Sequence, residues 1–345
     1  MHWRSAVLPH PPEKQPMIRV ENLVKQFGAK RAVNGISFTV ERGEVLGLLG
    51  PNGAGKSTTM RIITGFYPAT SGRVTVGGHD VAVDPIRAKA LIGYLPESAP
   101  SYADMTVQGF LSFIADLRGL SGSAKRAAVH GAIETCLLES VLHQPIDTLS
   151  KGYRHRTCLA QAILHDPDVL VLDEPTDGLD PNQKHAAREL IRRMGERKAI
   201  VFSTHILEEV EAACTRAVII DRGSVVANGT PAELKARSAT AGCVRVTLAG
   251  AGAADAAVSQ LGQLPGAERA ELLPGADPAV DGRVTVRVYP KREGNGAIGA
   301  AGAALTVAVA QAAQAGGWQV QALSTEEGRL EDVFRSITLP DTVVQ

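Results

Sequence analysis

One stretch restricts this chain more than any other: GLLGPNGAGKSTTMRIITG, Gly47 to Gly65. An apolar strand, EVLGLLG (Glu44–Gly50), runs into a glycine-rich turn. The turn runs into a helix expected over Lys56–Ile63 and stopped by Gly65. Gly50-x4-Gly55-Lys56-Ser57 is the full pattern of a phosphate cradle. The small residues of Gly50, Pro51, Asn52, Gly53, Ala54 and Gly55 let backbone N–H groups turn inward onto a β-phosphate. The helix N-terminus behind them adds a favourable dipole. Lys56 is expected to reach the β- and γ-phosphates, Ser57 to ligate Mg2+, and Thr58 to meet phosphate beside it.

Two further apolar strands end in polar groups. VLVLDE (Val169–Glu174) ends in two acids, and AIVFSTH (Ala199–His205) ends in a histidine. Continuous apolar strands between helices indicate a parallel sheet covered on both faces. Such a sheet delivers what lies at its C-terminal edge to one place. Asp173 is expected to hold Mg2+, directly or through water, and Glu174 to polarise an attacking water as general base. His205 closes its strand at the same edge, within reach of a γ-phosphate. AVIIDRGSVVANG (Ala217–Gly229) reads as a hairpin around Arg222-Gly223.

A helical insertion follows Ser98. Thr106 can cap a helix with Val107, Phe110, Leu111, Ile114 and Leu117 on one face, and Gly119 follows its end. Ser123 can cap a second, with Val129, Ile133, Cys136 and Leu137 on one face. Composition turns Ala/Gly-rich near residue 236. There CVRVTLA, a weaker Ala267–Leu273, RVTVRVY and WQVQAL read as strands, with helices at Ala253–Leu261 and Ala297–Ala315. The order β-α-β-β-α-β suggests a ferredoxin-like split unit. A last helix carries Leu330, Val333, Phe334 and Ile337 on one face. Residues 1–16 are proline-rich without an apolar core, and are expected to be a disordered extension or the product of an upstream start codon.

Composition removes some functions. Lys+Arg and Asp+Glu are 36 each, which removes the easiest argument for nucleic acid, and aromatics at 4% weaken the case for a stacking surface on single strands. The long apolar run Gly296–Trp318 is mostly Ala and Gly and carries Gln311 and Gln314, which reads as a buried helix rather than a membrane span. Cys136, Cys158, Cys214 and Cys243 have no metal spacing and read as reduced core residues.

LSKGY (Leu149–Tyr153), followed by the helix-like RHRTCLAQAIL, resembles the signature loop of the ABC (ATP-binding cassette) ATPase family, commonly LSGGQ. The resemblance covers residues 18 to about 235, with the motifs in the family's order. They are an aromatic loop near Phe27, Walker A (Gly50–Ser57), GYLPE (Gly93–Glu97), the signature, Walker B (Val169–Glu174), DGLD (Asp177–Asp180) and the His205 switch. The implied fold is α/β. It has a RecA-like P-loop NTPase core, an N-terminal antiparallel β subdomain and a helical subdomain at about 98–165. The cassette spans 17–235 and a small α+β domain 236–345. The implied ligands are ATP and Mg2+. Phe27 is to stack on adenine, with Val33 sharing that face as an alternative. Ser150, Gly152 and Asp180 are to act in trans, on ATP held by a second copy, in a head-to-tail dimer.

Three departures stand out. Lys151 and Tyr153 replace the commoner Gly and Gln, while Ser150 and Gly152 keep the phosphate contacts. His155, where many members carry Gln, is expected on the exposed face of its helix without a role. Glu97 occupies the Q-loop position, as either a Mg2+ ligand beside the reacting water or a surface acid. GYLPE, LSKGYR, PTDGLDP and the late LEDVF (Leu330–Phe334) look like the type-2 exporter branch, with its drug-resistance and gliding-motility ATPases. That implies a separate membrane-spanning permease as partner, no nucleic acid, and a place on the cytoplasmic face of the membrane. The alternative is a non-transport ABC ATPase working on ribosomes or DNA. It is disfavoured by the single set of motifs and the short gap between Walker A and signature.

Overall fold

The computed structural model describes residues 16–98, 102–250, 254–274, 283–292 and 301–338. Apart from residue 16, the expected leader lies outside the described residues. Packing divides the chain into a unit through Asn228 and a unit from Gly229 onward, a little before the composition boundary at 236.

Two sheets build the first unit. β1 (Ile18–Phe27), β2 (Lys30–Val40), β4 (Ser71–Val76) and β5 (His79–Asp80) form an antiparallel sheet in the order β2-β1-β4-β5. In β1 the buried alternation Ile18, Val20 is broken by a register shift and resumes at Leu23. Asn22, inside the shift, has φ 46°, a region that Asn tolerates better than most residues. The second sheet has the order β10-β9-β3-β8-β7-β6. β6 (Ile92–Leu95), β7 (Val169–Asp173), β8 (Ala199–Thr204), β3 (Val45–Leu49) and β9 (Arg216–Asp221) are parallel. β10 (Ser224–Gly229) follows the two-residue turn Arg222-Gly223, both residues left-handed.

Every residue of β3, β7 and β8 is buried, because each strand feeds two cores. Val169, Val171, Ala199 and Val201 pack with the antiparallel sheet and with Met60 and Ile63 of α1 (Lys56–Ile63). Leu170, Leu172, Ile200 and Phe202 face the helical side. That side holds α3 (Val107–Leu117), α4 (Gly122–Cys136) and α5 (Lys151–Ile163), while the short α2 (Pro85–Ala90) precedes β6. Each fully buried Leu, Ile, Val or Phe side chain contributes about 1.5–3 kcal/mol, so this two-sided burial is what fixes the sheet.

The helical ends follow local chemistry, with one correction. Thr106 caps α3, accepting from Gly109 N–H at 3.1 Å. α4 starts at Gly122 with Ser121 at its N-cap, not at Ser123, because Gly122 accommodates a left-handed turn (φ 57°) at the entry. Leu117 is 67% exposed, so the apolar face of α3 ends before it. α6 (Pro181–Gly195) and α7 (Leu207–Ala213) complete this unit.

The second unit opens with α8 (Pro231–Lys235), held by a capping box between Thr230 and Glu233. Then come β11 (Val244–Ala249), α9 (Ala254–Gly262), β12 (Ala267–Leu272), β13 (Arg283–Pro290), α10 (Ala301–Ala315), β14 (Gln319–Thr325) and α11 (Leu330–Ile337). The antiparallel order β12-β13-β11-β14 is that of a ferredoxin-like split unit. Val244, Val246 and Leu248 lie opposite Val288, Val286 and Val284 and are buried with Leu305, Val309 and Ala313 of α10. No helix among the described residues is long and apolar enough to cross a membrane. All four cysteines are free thiols, and burial pushes Cys136 and Cys158 up to about 12.

Candidate functional site

The parallel register brings the chemistry together. Leu49 pairs with Thr204 and Asp173 with Ser203, so Gly50, Glu174 and His205 follow adjacent strand ends. The loop between β3 and α1 needs its glycines. Gly55 has φ 108°, and a Cβ there would lie 2.5 Å from the Ala32 carbonyl oxygen. Gly50 faces the Ile220 carbonyl with no room for a side chain. Inside the loop, Lys56 is 5% exposed, and its Nζ donates to the Gly50 and Pro51 carbonyls at 2.7 and 3.1 Å. Burial lowers its proton affinity, while Glu174, Asp173 and Glu97 oppose that shift.

Asp173 is fully buried. Its Oδ1 accepts from Ser57 Oγ at 3.0 Å and Ser203 Oγ at 2.6 Å, and its Oδ2 is buried without a hydrogen-bond partner. A carboxylate oxygen left so beside a serine hydroxyl fits a hard divalent cation, which takes oxygen ligands. Ser57 and Asp173 therefore fit Mg2+. Glu97 differs: it is exposed, no hydrogen bond joins it to Ser57 or Asp173, and it reaches the site as a charge acting on Lys56.

Glu174 takes φ 49°, an uncommon backbone for a non-glycine residue, and its N–H donates to Ser203 Oγ at 2.9 Å. Its Oε2 lies 3.1 Å from His205 Nδ1. Its side chain is 13% exposed, against 51% for His205. Burial raises the proton affinity of Glu174, and the His205 hydrogen bond and charge and the Lys56 charge pull it back.

Phe27 is 43% exposed and meets Tyr67 edge-on at 5.5 Å, with Lys25 Nζ 4.9 Å from its ring centroid. Val33 is fully buried in the core and offers no face, so the alternative of a shared surface is removed. Ser150 caps α5, accepting from Tyr153 N–H at 3.3 Å, and Asp180 caps α6, accepting from Gln183 N–H at 2.9 Å. Ser150 and Asp180 are exposed. No hydrogen bond joins Ser150, Gly152 or Asp180 to the phosphate loop of the same chain among the described residues. Lys151 instead pairs with Asp177 at 2.8 Å.

His155 corrects its expected position. It is 5% exposed, because its side of α5 packs against the Pro175 backbone in the segment following Glu174. Burial lowers its proton affinity, and its Nε2 is buried without a partner. Ser203, Thr176, Thr204 and Glu209 escaped the sequence reading. Ser203 and Thr204 carried a signal as the first two letters of the STH strand end, and Thr176 as the second letter of PTDGLDP; Glu209 carried none.

The ABC transporter family model matches residues 33–177. The linearmycin resistance ATP-binding protein LnrL of Bacillus subtilis is 37% identical over 236 residues, 68% of this chain and 76% of that protein. The Nod factor export ATP-binding protein I of Ralstonia nicotianae is 38% identical, over 64% of this chain and 68% of its own length. A solved ATP binding subunit of an ABC transporter superposes with a TM-score of 0.59 at 31% identity, over 64% of this chain and 92% of that one. With the phosphate loop, Asp173, Glu174 and His205 gathered at one sheet edge, the chain belongs to the ABC transporter family as an ATP-binding, ATP-hydrolysing subunit.

Proposed function

We propose that this chain energises an exporter: two copies bind ATP, close on each other, and move a separate membrane-spanning permease on whose cytoplasmic face they sit. The observation that carries the hydrolytic part is the meeting of Glu174 and His205 beside Asp173 and Lys56. In this reading the loop N–H groups and Lys56 hold the β- and γ-phosphates of ATP. Ser57 and Asp173 hold Mg2+, which when bound offsets phosphate charge and orients the γ-phosphoryl group. Glu174 takes the proton of the attacking water as general base. His205 donates from Nδ1 to Glu174, which keeps the ring oriented toward the γ-phosphate.

The exposed Ser150 at the N-terminus of α5, with the buried Gly152 behind it, supports the dimer. The helix dipole and the Ser150 hydroxyl suit an anion, and within the chain they meet none of the phosphate-loop residues. ATP bound by both copies bridges them only while its γ-phosphate is intact, which gives a cycle of closing and opening. The exporter direction is supported by relatives whose names include resistance and export. Purification in mild detergent from the native host tests the transport reading. A co-purifying multi-span membrane protein that stimulates ATP turnover supports it, whereas recovery with ribosomes or DNA alone overturns it and leaves the ATPase assignment standing.

A further inference from the structure

Glu209 lies on α7 at 1% exposure, and no role above uses it. A carboxylate that far from water is costly unless hydrogen bonds replace the lost hydration. Two threonine hydroxyls from different parts of the fold supply them. Thr176, two residues after Glu174, donates to Oε1. Thr204, the residue before His205, donates to Oε2 at 2.5 Å. Both threonines are buried.

Each threonine belongs to a turn that carries a reacting side chain. The Thr204 hydroxyl also accepts from the Ile206 N–H at 3.0 Å, so the residues flanking His205 on both sides are tied through one oxygen. The Glu174 carbonyl accepts from the Asp177 N–H at 3.1 Å, closing a turn with Pro175 and Thr176 at its centre. Glu174 holds a left-handed φ at the start of that turn, a conformation that persists only where its surroundings hold it. Both turns end on the same carboxylate, and the side chains that they carry meet at 3.1 Å.

We propose that Glu209 is a positioning residue that holds the Glu174 turn and the His205 turn in register. It rests on the reading of Glu174 as the hydrolytic base. Glu209 touches no reacting atom, so its loss acts on turnover and not on nucleotide binding.

The test measures kcat, ATP·Mg2+ affinity and melting temperature in the full chain. Glu209→Gln, which keeps size and one acceptor, is expected to lower kcat roughly ten- to hundredfold with ATP affinity unchanged, the range seen when supporting groups are removed. Glu209→Leu, without an acceptor, is expected to lower it further. In a His205→Ala background Glu209→Gln is expected to cost less, because one of the two groups that it aligns is gone. Full turnover in Glu209→Gln, an effect that adds independently to His205→Ala, or ATP binding falling in step with kcat overturns the proposal. Thr204→Val repeats the measurement if Glu209→Gln fails to fold. Glu174→Gln separates the two readings: if it retains turnover, the hydrolytic assignment itself fails. If it is inactive while Glu209→Gln is fully active, only the brace fails.

Discussion

His205 Nδ1 and Glu174 Oε2 lie 3.1 Å apart, although 31 residues separate them in sequence. The parallel pairing of β7 with β8 makes the meeting, since each residue follows its strand's last position. Glu174→Gln keeps the shape and removes the base. It is expected to lower ATP turnover by about a hundredfold or more. ATP binding should persist, and the variant should run as an ATP-dependent dimer on size exclusion. A variant that stays monomeric at saturating ATP·Mg2+ counts against a dimer bridged by ATP.

Asp173 and Glu97 were both candidate metal ligands, and the geometry separates them. Asp173→Asn is expected to weaken the Mg2+ dependence of ATP binding about tenfold or more. Glu97→Gln should move the same titration far less, because Glu97 is exposed and touches neither Ser57 nor Asp173. Equal effects from the two variants would place Glu97 in the metal site.

Burial raises the folded-state pKa of Glu174 above its ordinary 4.5. Between 4.5 and the raised value the folded chain binds more protons than the unfolded one. This group therefore stabilises less as pH rises through that window. Glu174→Gln is expected to remove the penalty and raise the melting temperature above it. An unchanged melting temperature at neutral pH would mean that the carboxylate is not strained by burial.

His165 shifts the other way. Burial and then the Arg118 charge push it down to about 4, and its Nδ1 is buried without a partner while Nε2 lies 3.2 Å from the Ile92 carbonyl. The unfolded chain then binds the extra proton between the ordinary 6.5 and about 4. Stability is fully present above 6.5 and falls as pH drops through that window. His165→Gln should flatten this part of a melting-temperature profile, and an unchanged slope would contradict it.

Phe202 of β8 is 1% exposed between β7 and the helical insertion. Phe202→Ala is expected to cost about 3–5 kcal/mol in urea unfolding, from lost transfer energy and the cavity left behind. A cost below about 1 kcal/mol would mean that the site collapses around the smaller residue.

Much of this protein is local and could be read from its letters. The phosphate loop needs particular glycines before a helix, and α1 spans Lys56–Ile63 as expected. Thr106 caps α3 as expected, because a short oxygen side chain meets the free N–H groups of the turn that follows; Ser150 and Asp180, read only for a role in trans, cap α5 and α6 for the same reason. β11 and β13 of the second unit alternate in sequence and in burial alike. Burial and partnership across elements are different in kind, since they depend on what the rest of the chain brings up. Nothing beside His155 in sequence tells that Pro175 will cover it, nothing beside Val33 that the core will close over it, and nothing in the charged run Glu208-Glu209 that one carboxylate will be sealed between Thr176 and Thr204 while its neighbour stays exposed. Residue order determined the cradle, the acids and the strands that carry them. Only the packing of those strands side by side decided which oxygen of Asp173 stays free, where Glu97 stands, and what holds Glu174 against His205.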